Sequence, residues 1–183
     1  MVGGRELTER VRDTIVKGLG ATLSPFNAFL IGRGLHTLAL RMAQATATTA
    51  RLAAALERHP AVGRVHHSSL ASHPDHELGR RQMRAPPAVL SFEVRGGSVA
   101  ARRVLDAVRL VRQAVSLGDA RTLLTHPAST TASTMPAGDR ARAGIGEGLL
   151  RLAVGLEDAV DLEADLTQAL AASADAATSE VTA

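Results

Sequence analysis

A ten-residue run near the C-terminal end of this chain, LLRLAVGLED (Leu149–Asp158), narrows its fold more than any other feature. Leu149, Leu150, Leu152 and Val154 form an apolar strand, Gly155 ends it, and Glu157 and Asp158 place acids where a following helix begins. A strand that feeds a helix in this way belongs in an α/β layer. One residue conflicts with its surroundings. Arg151 sets a guanidinium inside an otherwise apolar strand, which is costly to hide unless it meets an anion. A carboxylate suits it, because the planar fork offers two parallel hydrogen bonds. The alternative is an Arg turned to solvent or paired with Glu157 or Asp158, and spacing alone favours that alternative.

The rest of the chain alternates helices and strands. Leu7, Val11 and Ile15 recur every four residues over Glu6–Lys17, an amphipathic helix closed by Gly18 or Gly20. Ser24-Pro25 restarts a helix, with Pro at its first position, that runs to about His59 with a break near Gly32 or Gly34. Val62–His66 and Val89–Val94 read as strands, with a loop and a short helix near Glu77 between them. Arg95-Gly96-Gly97 makes a turn. Ser98 caps a helix to about Arg112, with Val104, Leu105, Val108 and Val111 inward. Val115–Leu117 and Thr122–Thr125 are short strands, Pro136–Arg142 a small helix, and Glu157–Ala171 the last helix. Beyond Ala172 the chain is rich in Ala, Ser and Thr without periodicity, and a disordered tail is expected. The pattern predicts a four- or five-stranded sheet with helices on one face, preceded by a long linking helix.

Composition removes several function classes. With 183 residues and 45% hydrophobic content, the chain supports one domain with an aliphatic core, since aromatics are only 2%. No apolar run is long enough for a membrane span. The absence of Cys excludes disulfides and thiolate chemistry. The first residues mix charges and lack an apolar stretch, so no signal peptide is expected, and cytoplasmic location is the default. Net charge is +3 but uneven, +9 over residues 1–112 and −6 over 113–183. The basic residues fall at helix-face spacing without an aromatic platform, so a solvated surface is favoured over nucleic-acid binding. His59, His66, His67, His73 and His76 crowd together, but Pro74 and the lack of carboxylate ligands argue against a zinc site.

Several motifs occur in one order: SPFNAFLIGRGLHTLALRM from Ser24, SHPDHELGRRQM from Ser72, LSFEV from Leu90, SLGDARTL from Ser116, HPAS from His126, and LLRLAVGLED. Together they resemble the C-terminal part of the Cys/Met-metabolism family of pyridoxal-phosphate enzymes, from about Val2 to about Leu170. That family includes cystathionine gamma-lyases and gamma-synthases, methionine gamma-lyases and O-acetylhomoserine sulfhydrylases. The resemblance implies the small domain of a fold-type-I enzyme. Residues 1–24 would be the end of the cofactor domain, 25–59 the linking helix, 60–172 the C-terminal α/β domain and 173–183 the tail. It also implies γ-elimination or γ-replacement on a homoserine- or cysteine-derived amino acid.

By the same resemblance, Arg151 binds the substrate α-carboxylate, Ser116 borders it, and Thr131 lines the same pocket. For Ser116 a strand-end hydroxyl bonded to its own backbone, and for Thr131 an ordinary turn residue, stand as equal alternatives. The family's Schiff-base lysine, phosphate-cradling loop, ring-stacking Tyr and pyridinium-facing Asp fall in a part this chain lacks. Lys17, the only lysine, is read as a helix-end cation. No catalytic residue and no residue holding pyridoxal phosphate is therefore expected here, and the chain alone should be inactive. The expected partners are an amino-acid carboxylate and either a second copy or a chain supplying the cofactor domain. A truncated enzyme, one half of a split enzyme, and a non-catalytic binding module all remain open.

The resemblance breaks at several points. Ala43, Gln44, Ala45 and Thr48 follow LRM where a charged pair with His, then Asn, is usual. His67-Ser68-Ser69 replaces Tyr-Pro-Gly ahead of SHP, and Pro86-Pro87 replaces a glycine pair, which changes the allowed backbone outright. Ala132 stands for His and Ala153 for Ser.

Overall fold

The computed structural model describes residues 3–179, which fall into two compact units divided between Ala39 and Leu40. The division lies inside the segment expected to link two domains. The first unit holds α1 (Arg5–Val11), a wider π-helical continuation (Arg12–Gly18) and α2 (Pro25–Leu35). The Ser24 side chain accepts a hydrogen bond from the Asn27 amide at 3.2 Å, and Pro25 starts α2 as its sequence requires. None of these helices buries a residue. Phe26, Phe29, Ile31 and Leu35 are all more than half exposed.

The second unit is a layered α/β domain. α3 (Leu38–Glu57) precedes β1 (Val62–His66), α4 (His76–Gln82), β2 (Val89–Val94), α5 (Gly97–Ala107), β3 (Arg112–Gln113) and β4 (Leu123–Thr125). A single 3₁₀ turn (Pro127–Ser129), α6 (Ala137–Arg142), β5 (Leu149–Ala153) and α7 (Ala159–Ser179) complete it. The five strands lie in the order β1-β2-β5-β4-β3. All neighbours are antiparallel except β3 and β4. The break between α2 and α3 falls at His36-Thr37, not at Gly32 or Gly34, which stay helical.

Strand alternation divides the residues between the two sheet faces. Leu90, Phe92, Val94, Leu124, Leu150 and Leu152 join the core with Leu52 and Leu56 of α3, Ala101 and Val104 of α5, and Leu162, Leu166 and Leu170 of α7. The three leucines of α7 repeat every four residues and make a single stripe. The opposite face carries a row of polar residues, because Ser91 and Thr125 both pair with Arg151 in register. Between β2 and α5 the chain reverses on Gly96 and Gly97, at φ +97° and +66°, where a side chain would be strained.

Two helices differ from expectation. α5 ends at Ala107, not Arg112, although Val108 and Val111 continue its apolar spacing. The cause is Asp165 of α7, whose buried carboxylate accepts the amides of Arg109 (2.8 Å), Leu110 (2.9 Å) and Val111 (3.0 Å). Those amides are then unavailable to helical carbonyls. Gln168 completes the clasp by donating to the Ala107 carbonyl at 2.7 Å. Burial alone would raise the Asp165 pKa, but the three backbone donors together with the Gln168 amide outweigh it and hold the carboxyl below its ordinary value. α7, for its part, continues past Ala172 through Ser179, where a disordered tail is expected. Alanine favours helix, and the Ser173 hydroxyl, buried, donates back to the Leu170 carbonyl at 2.7 Å. The last four residues of the expected tail lie outside the described residues.

Candidate substrate-carboxylate site

Two motifs that are far apart in sequence are locked together beside β5. Glu157 accepts the Thr122 amide at 2.8 Å and the Thr122 hydroxyl at 2.7 Å. The Thr122 oxygen in turn accepts the Gly155 amide at 2.9 Å. Gly155 is obligatory for a steric reason: a Cβ there would lie 2.3 Å from the Ala120 carbonyl oxygen and 2.5 Å from the Arg121 carbonyl carbon. Both obstacles are backbone, so nothing nearby can rotate away. Gly155→Ala is therefore expected to cost about 3 kcal/mol or more, at the upper end of overpacking changes, measured as a drop in urea midpoint at constant slope.

This lock fixes the loop that precedes β4. The Thr125 hydroxyl donates to the Ala114 carbonyl at 2.5 Å, which holds the loop against the sheet at its other end. Between these ties lies Ser116, exposed and in a loop, not in the short strand expected over Val115–Leu117. The local pairing belongs instead to Arg112 and Gln113, which run parallel to Leu123 and Leu124.

Arg151 sits mid-strand on β5, partly buried, between Ser91 and Thr125. Its Nη2 donates to the Ser116 carbonyl at 3.2 Å. Its Nε is buried and has no hydrogen-bond partner among the described residues. The two remote residues expected to share a site are thus brought together, but through the Ser116 carbonyl and not its hydroxyl. Neither Glu157 nor Asp158 pairs with Arg151: Glu157 serves Thr122, and Asp158 accepts the Val160 amide at 2.7 Å. The guanidinium is thus oriented at one end by the Ser116 carbonyl and unsatisfied at Nε.

Thr131 is exposed in the turn that follows Pro127–Ser129 and makes no hydrogen bond to Arg151 or Ser116 among the described residues. The turn itself is rigid around buried His126. That ring meets the Ser129 hydroxyl at 2.8 Å and the Glu147 carbonyl at 2.9 Å, while Thr130 donates to the His126 carbonyl at 2.7 Å. His126 and Glu157 are the positioning residues that sequence reasoning missed. Their bonds span 21 and 35 residues, and no local pattern signals them.

Lys17 lies on the π-helical segment with its amine 2.6 Å from the Asp13 carboxylate, and both side chains are largely exposed. The clustered histidines serve their own neighbours. His66 meets Glu93 at 2.9 Å and His76 meets the Ser68 carbonyl at 2.8 Å. His67 is not a surface residue: it is 2% exposed, with its ring between the Ser69 hydroxyl (2.7 Å) and the Pro87 carbonyl (2.9 Å).

Burial pushes the His67 pKa down, against the Pro87 carbonyl, which favours the charged ring. The unfolded chain then takes up a proton more readily than the folded one. The stabilisation is fully present above about pH 6.5, the ordinary histidine value, and is lost as pH falls from there toward the lowered folded value. The melting temperature is expected to fall below about pH 6.5, and less so in His67→Gln. An identical acid response in that variant would count against the assignment.

A family model described as Cys/Met metabolism PLP-dependent enzyme matches residues 1–171. The O-succinylhomoserine sulfhydrylase of Pseudomonas aeruginosa is 48% identical over 174 residues, covering 94% of this chain and 43% of that protein. The L-methionine gamma-lyase of Treponema denticola is 47% identical over 171 residues, covering 93% and 43%. Among solved structures, the cystathionine gamma synthase of Xanthomonas oryzae pv. oryzae, in complex with cystathionine, superposes with a TM-score of 0.87 at 41% identity, over 94% of this chain and 44% of that one. A methionine gamma lyase from Micromonospora echinospora gives 0.82 at 41%, over 92% and 44%. The chain therefore spans under half the length of the relatives it matches. On that match, at more than 40% identity, the chain belongs to the Cys/Met-metabolism family of pyridoxal-phosphate-dependent, fold-type-I enzymes.

Proposed function

We propose that this chain supplies the substrate-carboxylate side of a pyridoxal-phosphate-dependent lyase or transferase acting on sulfur amino acids. The supporting observation is Arg151, held by the Ser116 carbonyl at one nitrogen and buried without a partner at Nε. A carboxylate arriving there satisfies Nε and gains a charge-assisted pair in a partly desolvated place. The amino acid is thereby fixed at its α-carboxylate, and its γ-substituent is presented to the chemistry. Thr131, on the rigid turn around His126, would complete the rim.

The residues present do not fit the cofactor. The sole lysine, Lys17, is committed to Asp13 on an exposed helix. When bound, pyridoxal phosphate supplies the electron sink for γ-elimination or γ-replacement. The groups that hold it would come from chain outside these 183 residues or from another subunit. The exposed apolar side chains of α2 support such an association. Among the described residues no helix is long and apolar enough to cross a membrane. A cytoplasmic location is part of the same proposal and rests on the likeness to metabolic enzymes.

A non-catalytic module is the competing reading. It is favoured by Ala132 and Ala153, both buried, which offer no polar group where the resemblance expects His and Ser. The test is to isolate the native protein from its host by antibody and measure its mass, its bound cofactor and its turnover of cystathionine, methionine and O-acetylhomoserine. The cofactor and turnover of one of these are expected, in a species larger than 19.0 kDa or in a complex. The 183-residue chain with added cofactor should be inert. A native form without cofactor or turnover would leave the non-catalytic reading.

A further inference from the structure

Two of the segments at which the sequence departs from the family pattern, His67-Ser68-Ser69 and Pro86-Pro87, meet at one cavity of about 340 Å³. That size suits a small organic molecule. The His67 ring ties the two segments together by bonding Ser69 on one side and the Pro87 carbonyl on the other. His76, at the start of α4, is tied to the Ser68 carbonyl. The walls are therefore built from elements that are bonded to each other.

The lining combines an apolar floor with positive charge. Met83, Ala85 and Pro86 give the apolar part, and Arg80 and Arg84 bring guanidinium groups. Arg80 is 3.3 Å from Glu77, an exposed pair that leaves most of its fork free. Arg84 makes no ion pair or side-chain hydrogen bond among the described residues. Glu77, 3.9 Å from the His76 ring, is an acid beside this wall, and none of the lining residues is acidic. The charge balance is positive. Ser68 adds a hydroxyl oxygen that is buried and has no hydrogen-bond partner among the described residues.

Gly79 keeps the space open. It lies inside α4, where glycine weakens a helix. A Cβ at this position would come within 3.0 Å of the Met83 methyl and 3.3 Å of the Ser68 Cβ, and would fill the gap between them. None of the lining residues belongs to the Arg151 site, so the cavity is independent of the reading above.

We propose that this cavity binds a small organic anion, an oxyanion head on a compact apolar body, with Arg80 and Arg84 on the head and Met83 and Pro86 against the body. Guanidinium forks suit phosphate and carboxylate equally. The test uses methyl NMR of the full chain, in which only four methionines occur. Phenyl phosphate, benzoate and benzyl alcohol are titrated separately. The Met83 methyl is expected to shift saturably with at least one anion and not with the alcohol. The anion that saturates identifies the head group. Arg84→Gln and Arg80→Gln should each weaken binding at least tenfold, about the loss of one charge-assisted contact. Arg81→Gln, the same charge change outside the lining, should leave binding unchanged. The proposal is overturned if Met83 responds to neither anion, if the alcohol binds equally well, or if Arg81→Gln weakens binding as much as Arg84→Gln.

Discussion

Arg151→Ala, in the assembled cofactor-bearing enzyme, is expected to lower kcat/KM by roughly 30- to 3,000-fold. That corresponds to about 2–5 kcal/mol for truncating one partner of a desolvated charge pair. Arg151→Lys should recover little of it, because an ammonium keeps the charge but loses the planar fork. The same substitution separates a clamp from a structural residue. In the absence of substrate the buried Nε has no acceptor, an unmet donor that costs about 1–3 kcal/mol. Removing it should leave the melting temperature of the protein unchanged or slightly raised. A fall of more than about 5 °C would mean that Arg151 holds the sheet together and that its activity effect is secondary.

The largest stability effect is expected at Asp165. Asp165→Ala removes a buried carboxylate that serves three consecutive amides, at 2.8, 2.9 and 3.0 Å. Hydrogen bonds to a charged group are worth about 1.5–3 kcal/mol each and are not additive, so a cost of about 3–5 kcal/mol is expected. For a domain of this size that lowers the melting temperature by roughly 10–15 °C. Asp165→Asn keeps the shape and one acceptor and should fall between. The acid limb gives a second readout. Because the folded carboxyl is held below its ordinary value, its contribution is present above about pH 4 and lost as pH falls through the lowered folded value. In Asp165→Asn that part of the acid dependence should vanish. A melting temperature within about 3 °C of the parent would show that the amides find other acceptors.

What the sequence revealed depended on how local the deciding contact was. β1, β2 and β5 were legible almost to the residue, because apolar runs and the Gly-Gly turn bound them within a few positions. The end of α5 was not, because its apolar spacing continues and the competitor, Asp165, lies more than fifty residues away. β3 was placed too late because Val115 and Leu117 look like a strand. Pairing with Leu123 and Leu124 chose the more polar Arg112 and Gln113 instead. At the candidate site, Arg151 stands out as a cation on an apolar strand, but its spacing favours solvent or a nearby acid, and only the resemblance implies a carboxylate. Its orienting contact was not legible, since a carbonyl belongs to every residue and Ser116 drew attention to its hydroxyl. Nothing in the histidine spacing sets His67 apart from its neighbours, and only the fold shows that its ring bridges two segments.

The place of β5 in the sheet has a consequence during synthesis. This strand leaves the ribosome last of the five yet lies between β2 and β4, so it forms the seam of the sheet. Until residues 149–153 emerge, a nascent chain carries one half-sheet of β1 and β2 and another of β3 and β4, each with an unpaired edge. Such edges recruit other strands. A pause or premature stop before Leu149 would therefore release an aggregation-prone half-product. The contact between Arg151 and the Ser116 carbonyl would form only in the step that also closes the sheet, and no partly made chain would display it.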